Sequence, residues 1–221
     1  MTTTRLRRRV AALVFSCAAV LTAAAPATSA EAGAETRTAA PARAAAPAVA
    51  AARAATAAPA AADCPVHEPL YAAADRRVDI DRITPDPVYR TSCKTLYRAD
   101  GRPPAVIFEQ GFHPKAPVDG QYDLARYVDV NQPSPFVSTS YDHDLYKTWW
   151  KSGWNYYIDA PGGIDVNETI GDDHRWAEQQ EVAFPGGIAR EFVVGVCPVD
   201  ARTKTEIMNE CLDNPHYRPE L

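Results

Sequence analysis

The amino-acid sequence predicts an α+β domain, and two observations carry that prediction. Short runs typical of strands recur between residues 95 and 197 and outnumber the two or three segments with helical spacing. Proline and glycine interrupt these runs at short intervals, so the predicted strands and helices are all short. The sequence contains neither an internal repeat nor a glycine-rich phosphate loop followed by a helix.

The first predicted elements lie before residue 141. Leu124, Tyr127 and Val128 have the spacing of one helix face, and the prolines that follow them end that helix. In chain order we predict a short helix at Tyr71–Ala74, a strand at Thr95–Arg98, a helical turn at Val106–Gln110 closed by Gly111, a helix at Asp123–Val130 and a strand at Phe136–Ser140.

The remaining elements are predicted between residues 142 and 197. Leu145 and Trp149 lie four residues apart and therefore share one side of a helix. In the last strand, Phe192, Val194 and Val196 are expected on one face and Val193 on the other. We predict a helix at Asp142–Ser152, a strand at Trp154–Asp159, a connector or helix at Ile164–Ile170, and strands at Trp176–Phe184 and Glu191–Cys197.

The strand predicted at Trp176–Phe184 carries chemistry on one face. Successive side chains of a strand point to opposite faces, so Gln179 and Glu181 should project together. An amide and a carboxylate would then share one surface.

The first 30 residues have the layout of a secretory signal peptide. Four arginines lie among residues 1–9, an apolar run rich in alanine follows, and small residues lead to Ala30, where we expect cleavage. A membrane anchor is the weaker alternative, because the run is short for a membrane span. We therefore expect a secreted, extracellular protein that has no membrane attachment after cleavage.

Residues 31–62 are predicted to form a disordered spacer or pro-segment. They are almost entirely alanine with proline, threonine and scattered arginine, and no apolar period defines a core face. Alanine favours helix, but Pro41, Pro47 and Pro59 interrupt any long one. The remaining residues, 63–221, have a length suited to one compact domain.

The predicted domain is more acidic than the chain, whose net charge is −5. Residues 1–62 hold seven of the 23 Lys and Arg residues but only two of the 28 acids, which leaves 16 basic and 26 acidic side chains, a net charge of −10. Such a domain is poorly suited to gripping a long polyanion. We expect no extended nucleic-acid groove, so a nucleic acid would have to be engaged locally, through a base.

Four cysteines remain after removal of the signal peptide, and an even number in an exported protein predicts two disulfides. Three pairings are possible in principle. We favour Cys64 with Cys93 and Cys197 with Cys211, because each bond closes a local loop near one end of the domain. A zinc site is the alternative, but no Cys-x-x-Cys pair or nearby histidine supports it, and we expect no metal.

Several segments, in this order, resemble the mono-ADP-ribosyltransferase toxins that share an Arg, a Ser-Thr-Ser and a Gln-x-Glu or Glu-x-Glu motif. Tyr97–Pro104, Phe108–Phe112 and Phe136–Ser140 resemble the pertussis-toxin catalytic subunit. Asp159–Asn167 and Gln179–Ile188 resemble the pierisin-like, guanine-modifying branch, which occurs in exported bacterial enzymes and insect toxins. Each motif is weak alone, whereas the ordered set is specific.

The resemblance implies an ADP-ribosyltransferase fold, in which two packed, mostly antiparallel sheets flanked by short helices surround an NAD⁺ cleft. It also implies that NAD⁺ is consumed as a substrate by a single catalytic domain, which we expect to be a monomer. The residues that it assigns to NAD⁺ are Arg98, Ser138, Thr139, Ser140, Trp149 and Glu181.

Four of the residues are assigned catalytic roles by the same resemblance. Arg98 offers the planar fork suited to a pyrophosphate, although a surface ion pair is the commoner fate of an arginine. Glu181 would grip the ribose 2′-hydroxyl and stabilise positive charge that develops on the sugar, while Ser138 holds that glutamate. Gln179 would meet the acceptor, because an amide that both donates and accepts hydrogen bonds suits a guanine edge.

Trp176 and Asn131 are the further candidates for contacts with the acceptor. An indole can stack on a base, but Trp176 could equally be a core tryptophan. The pertussis-type enzymes carry a histidine in the helix after the Gly-Phe pair, whereas this region has Tyr122 and Tyr127, and His113 follows Phe112 directly.

These residues lead to one functional hypothesis and two alternatives. The leading hypothesis is a secreted enzyme that transfers ADP-ribose from NAD⁺ to the exocyclic amine of guanine in nucleosides, nucleotides or DNA. An alternative with the same chemistry uses a protein side chain or water as the acceptor. The alternative of another class is a secreted binding protein that has lost turnover.

Overall fold

The structure is a computed structural model that describes residues 64–219. The predicted signal peptide, 1–30, and spacer, 31–62, lie outside the described residues, and both stay predictions. Within the described range the strands are β1 Leu96–Asp100, β2 Phe136–Ser140, β3 Trp154–Ile158, β4 Ile164–Asp165, β5 Glu181–Pro185, β6 Val193–Asp200, β7 Thr205–Glu206 and β8 Leu212–Asp213. The α-helices are α1 Pro104–Gln110, α2 Leu124–Val130 and α3 Val166–Ile170.

Six 3-10 helices connect these elements in the described range. They are Ile80–Arg82, His143–Lys147, Trp150–Ser152, Ala177–Gln179, Arg190–Phe192 and Met208–Glu210.

The strands pair in the order β4-β5-β2-β1-β3-β6-β7, and β8 also pairs with β6. Every one of these pairings is antiparallel. The two halves of the path, β4-β5-β2 and β1-β3-β6, meet at a single registered pair, Tyr97 opposite Ser140. The predicted α+β class is confirmed, and the two expected sheets are two halves of one hydrogen-bonded path.

Local signals explain the helix boundaries. Pro104 occupies the first turn of α1, and Gly111 ends it with a positive φ of 71°. The side chain of Asp123 caps α2 by accepting a hydrogen bond from the backbone of Arg126, and Asn131 ends that helix in the left-handed conformation. α1 and α2 match the predicted helices closely, because proline or a capping side chain marks their starts and Gly111 and Asn131 mark their ends.

Two apolar clusters form the core, one on each face of β5. Val182 and Phe184 belong to the first cluster with Leu96, Phe112 and Tyr156. On the opposite face Ala183 belongs to the second cluster, whose members include Leu124, Tyr127, Phe136, Ile164 and Val166. Glu181 shares a face of β5 with Ala183, so the second cluster lies beside its carboxyl.

Gly187 brings the loop after β5 against the segment that follows α1. Its φ is +79°, and a Cβ at this position would lie 1.9 Å from the backbone oxygen of Phe112. The backbones of Phe112 and Ile188 exchange two hydrogen bonds beside it. A side chain at position 187 would force these segments apart.

The structure corrects the predicted strand Trp176–Phe184. Ala177–Gln179 forms a 3-10 helix, Gln180 is left-handed with a φ of 45°, and the strand begins at Glu181. Gln179 and Glu181 therefore do not share a strand face. The polar run from Glu178 to Gln180 offers no apolar surface to bury in a sheet, which is why it forms a turn.

Three further predictions about elements were wrong. Asp142–Ser152 is not one helix but two 3-10 helices, since the run contains aromatic, Asp and Thr residues with modest helix propensity. The last strand begins at Val193, and a register shift opposite Tyr157 and Ile158 buries both Val193 and Val196 but leaves Val194 partly exposed. At Tyr71–Ala74 the chain makes a turn without a helix.

Both favoured disulfides are present. Cys64 is bonded to Cys93, and Cys197 in β6 is bonded to Cys211 just before β8. Among residues 64–219 there is no group of three or more His, Cys, Asp or Glu side chains able to hold a metal ion. No helix of the described range is both long and apolar enough to cross a membrane.

Candidate active site

A cleft of about 740 Å³ lies where β1, β2, α2 and the start of β5 come together. Its volume is within the range of small-molecule sites. Eight of the nine residues that the sequence assigned to NAD⁺ or to the acceptor line it: Arg98, Asn131, Ser138, Thr139, Trp149, Trp176, Gln179 and Glu181. Ser140 is buried and does not line the cleft.

Glu181 is the buried carboxylate of this cleft, with only 8% of its surface exposed. Burial raises the pKa of Glu181, while the hydroxyls of Ser138 and Tyr127 and the charge of Arg98 act in the opposite direction. The Oε1 atom has no hydrogen-bond partner among the described residues. A buried acceptor without a donor is costly unless a ligand supplies one, and a sugar hydroxyl is such a donor.

Arg98 lies at the centre of an ionic cluster on β1. Its Nε donates to Oδ2 of Asp100 at 2.9 Å, and its Nη1 donates to the backbone oxygen of Ser138. The Nη2 atom makes no hydrogen bond to the described residues, so one edge of the guanidinium remains available to an anion. The fixed orientation of Arg98 fits the role of a phosphate ligand.

Asp100 holds a second arginine on the same wall. Arg102 donates to both carboxylate oxygens of Asp100, each at 2.8 Å. Burial acts to raise the pKa of Asp100, but the hydrogen bonds from Arg102 and the charge of Arg98 lower it to about 2. Both guanidinium groups lie over the ring of Phe112, at 5.5 and 5.2 Å. The buried carboxylate therefore fixes two cations at the cleft.

The three hydroxyl side chains of the Ser-Thr-Ser strand, β2, have different environments. Ser138 lines the cleft near Glu181. The hydroxyl of Thr139 donates to the backbone oxygen of Val182 at 2.8 Å and ties β2 to β5. The hydroxyl of Ser140 donates to the backbone oxygen of Gln179 at 2.6 Å. Ser140 thus fixes the backbone of the turn that precedes Glu181.

Tyr127 lies in the region where the pertussis-type enzymes, which the sequence resembles, have a histidine. Burial raises the pKa of Tyr127, and the negative charge of Glu181 raises it further. Its hydroxyl therefore stays protonated and can donate towards Glu181 or Ser138. Tyr122 lies elsewhere, since its hydroxyl donates to the backbone oxygen of Pro117 at 2.6 Å. Sequence reasoning singled out both tyrosines without being able to choose between them.

The turn before Glu181 presents the residues expected to meet the acceptor. Trp176 lines the cleft and also packs against the second apolar cluster, so the core and pocket interpretations of this residue both apply. The guanidinium of Arg175 lies 4.2 Å from the centre of the Trp176 ring. Trp149 is 46% exposed and Asn131 ends α2, and both lie on the lining of the cleft.

The cleft also contains positive charge that composition alone did not predict. Four cations line it beside three carboxylates, within a domain whose net charge is −10: Arg98, Arg102, Lys115 and Arg175 with Asp100, Asp129 and Glu181. Arg102 belongs to the Tyr97–Pro104 motif, so a signal for it was present, whereas nothing in the sequence marked Lys115 or Arg175. The local charge suits a ligand that carries a few phosphates.

Comparisons with known proteins agree with this geometry. A family model described as Scabin-like matches residues 96–217. A guanine-specific ADP-ribosyl transferase of Streptomyces coelicolor is 72% identical over 148 residues, which cover 67% of this chain and 72% of that protein. Pierisin of Pieris brassicae is 40% identical over 110 residues, which are 44% of this chain but only 13% of that protein.

Solved structures extend the similarity to the fold. The Scabin toxin from Streptomyces scabies in complex with NADH is 71% identical, with a TM-score of 0.71 over 72% of this chain and 98% of that chain. A structure described as a guanine-specific ADP-ribosyltransferase is 69% identical, with a TM-score of 0.70 over 71% of this chain and 98% of that chain.

Proposed function

This chain belongs to the Scabin-like family of ADP-ribosyltransferases, and from that premise we infer that it transfers ADP-ribose from NAD⁺ to guanine. The observation that carries the inference is that Glu181 lines the same cleft as Arg98 and that its buried Oε1 has no hydrogen-bond partner within residues 64–219. A carboxylate without a donor beside an oriented guanidinium suits a ligand with both hydroxyls and phosphates.

We propose that Arg98 binds the pyrophosphate of NAD⁺ and that Glu181 accepts a hydrogen bond from the ribose 2′-hydroxyl. When the bond between C1′ and the nicotinamide nitrogen breaks, its electron pair leaves with nicotinamide and the sugar becomes positively charged. The ionised carboxylate of Glu181 stabilises that charge. Ser138 and Tyr127 orient the carboxylate, and the tie from Thr139 to β5 keeps the strand in place.

The exocyclic amine of guanine then attacks C1′ and forms the new bond, after which the nitrogen loses a proton. Gln179 suits this acceptor, because its amide can accept from the amine and donate to a ring acceptor of the same base. Stacking on an indole contributes about 1–3 kcal/mol per base, so Trp176 could hold one guanine without a basic groove. Trp149 and Asn131 also line the cleft and are further candidates for ligand contacts.

The acceptor can be a nucleoside, a nucleotide or a guanine within DNA. The net charge of −10 favours local engagement of one base over a long electrostatic footprint. The signal-peptide pattern of residues 1–30 supports the proposal that the protein is exported, and so do the two disulfides, because such bonds form in oxidising compartments.

Incubation of the purified domain with NAD⁺ and guanosine tests the proposal. The expected product is guanosine increased in mass by one ADP-ribosyl group, with equimolar release of nicotinamide, and mass spectrometry detects both. Adenosine, cytidine and uridine serve as controls that should stay unmodified. Release of nicotinamide with guanosine intact would overturn the guanine acceptor, and no release at all would overturn the enzymatic proposal.

A further inference from the structure

The segment 171–180, which joins α3 to β5, carries both proposed acceptor contacts, Trp176 and Gln179. It contains the 3-10 helix Ala177–Gln179 and no strand, so no sheet pairing fixes it. Glu181, by contrast, is registered opposite Ser140 in the β2–β5 pair. The relative placement of acceptor and catalytic groups therefore depends on whatever holds this segment.

Two side chains outside the cleft lining hold it through three hydrogen bonds. The amide Nδ2 of Asn167, on α3, donates to the backbone oxygen of Ala177 at 2.9 Å. The Oδ1 atom of the same amide lies 3.0 Å from Nε2 of His174. The backbone N–H of Trp176 donates to Nδ1 of His174 at 3.3 Å. Neither Asn167 nor His174 lines the cleft.

The donors and acceptors fix the form of His174. Because Nδ1 accepts from the backbone of Trp176, it carries no proton, so the neutral ring must carry its proton on Nε2. That proton is donated to Oδ1 of Asn167, and the other end of the amide is left to donate to Ala177. In each of the three hydrogen bonds a donor therefore faces an acceptor.

These three hydrogen bonds connect the segment 171–180, which we call the acceptor turn, to secondary structure of the domain. Asn167 follows Val166, which is fully buried in the second cluster and begins α3. The hydroxyl of Ser140, in β2, fixes the far end of the turn through the backbone oxygen of Gln179. Both ends of the turn are thus attached to secondary structure.

We propose that Asn167 and His174 are positioning residues for the guanine acceptor, acting by holding Trp176 and Gln179 at a fixed place relative to Glu181. The proposal rests on the proposed transfer to guanine. It separates two partial reactions, because cleavage of NAD⁺ with water as acceptor needs Arg98 and Glu181 but no ordered acceptor turn. Loss of the hydrogen bonds made by Asn167 and His174 should therefore impair transfer to guanine and leave hydrolysis of NAD⁺ intact.

The test compares two activities in the same variants. His174→Ala removes both ring contacts and should lower kcat/KM for guanosine by about ten- to a hundredfold, the cost of a misplaced reactant. Nicotinamide release without guanosine should stay near wild type. His174→Asn keeps an acceptor where Nδ1 lies and should restore most of the transfer. Asn167→Ala should resemble His174→Ala.

His216→Ala is the matched control, since His216 lies outside the cleft and contacts Glu109 at 3.3 Å. It should leave both activities unchanged. If transfer and hydrolysis fall together in His174→Ala, the role is structural and the proposal is wrong. It is equally wrong if transfer is unaffected, or if His174→Asn behaves like His174→Ala. Failure of the proposed function is distinguished by the wild-type domain, which would then leave guanosine unmodified.

Discussion

Protonation of the Glu181 carboxyl is expected to set the pH below which the enzyme loses activity. Burial raises the pKa of Glu181 above the ordinary glutamate value of 4.5, and the ionised form is the one that stabilises positive charge on the ribose. Activity should therefore fall on acidification at a pH above 4.5. Because the pKa of Glu181 is higher in the folded protein, the free energy of unfolding should decrease as the pH rises from 4.5 through that raised pKa.

The pH dependence of kcat/KM for NAD⁺ hydrolysis, which reports ionisation in the free enzyme, checks this prediction. A limb centred above the ordinary glutamate pKa is expected, while the control variant His216→Ala should show the same limb. Full activity maintained well below pH 4.5 would contradict a raised pKa.

Asp100 is predicted to control the binding of NAD⁺ through two arginines. Asp100→Asn removes the charge that orients Arg98 and Arg102, so KM for NAD⁺ should rise while kcat changes less. Loss of a buried charge-assisted contact should cost about 1–3 kcal/mol of unfolding free energy. Because the folded pKa of Asp100 is about 2, that stabilisation is present at neutral pH and is lost only as the pH falls from 3.8 towards 2.

Steady-state kinetics and urea unfolding of Asp100→Asn provide the measurements. Asp213→Asn in β8 is a matched surface control, since Asp213 is exposed and does not line the cleft. An unchanged KM would show that Asp100 does not orient Arg98.

Motif residues could be predicted from the sequence because their types, order and spacing are visible in it. The residues that sequence reasoning missed, such as Lys115 and His174, depend on which distant segments meet. Tyr127 reaches Glu181 only because α2 packs on the face of β5 that carries the carboxyl. No local pattern encodes that contact.

Elements with strong terminal signals were predicted well. α1 and α2 are bounded by proline, Asp123, Gly111 and Asn131, and β2 spans the predicted residues Phe136–Ser140. The turn before β5 was misjudged, because a left-handed Gln180 and a 3-10 helix leave no periodic trace. Its position is fixed instead by Ser140 of β2 and Asn167 of α3, together with His174 within the same segment.

The disulfide between Cys197 and Cys211 should stabilise the folded domain around β6 and β8 without contributing to catalysis. It closes a separation of 14 residues beside β6 and β8, and neither cysteine lines the cleft. Replacing both cysteines by alanine should lower the free energy of unfolding by about 2–4 kcal/mol. At temperatures where the variant stays folded, kcat should match wild type. Denaturant unfolding and initial rates measure the two effects, and a loss of kcat in folded protein would contradict the prediction.

At the level of the whole molecule, transfer to DNA by an acidic domain with a few cations in its cleft should depend little on salt concentration. If one or two phosphates of DNA contact the protein, the slope of log kcat/KM against log salt should be about −1 to −2. A short guanine-containing duplex assayed between about 50 and 200 mM salt gives this slope. A much steeper dependence would indicate an extended nucleic-acid surface. Transfer to guanosine, which carries no phosphate, serves as the reference.

The catalytic contribution of the Glu181 carboxylate is tested most directly by Glu181→Gln, measured as nicotinamide release at saturating NAD⁺ together with the dissociation constant of NAD⁺. The amide keeps the shape of the side chain but cannot stabilise a developing cation. We predict that kcat falls by about 10²–10³ while the dissociation constant changes only a few-fold. A variant that retains wild-type turnover, or one whose loss lies entirely in NAD⁺ binding, would contradict the assignment.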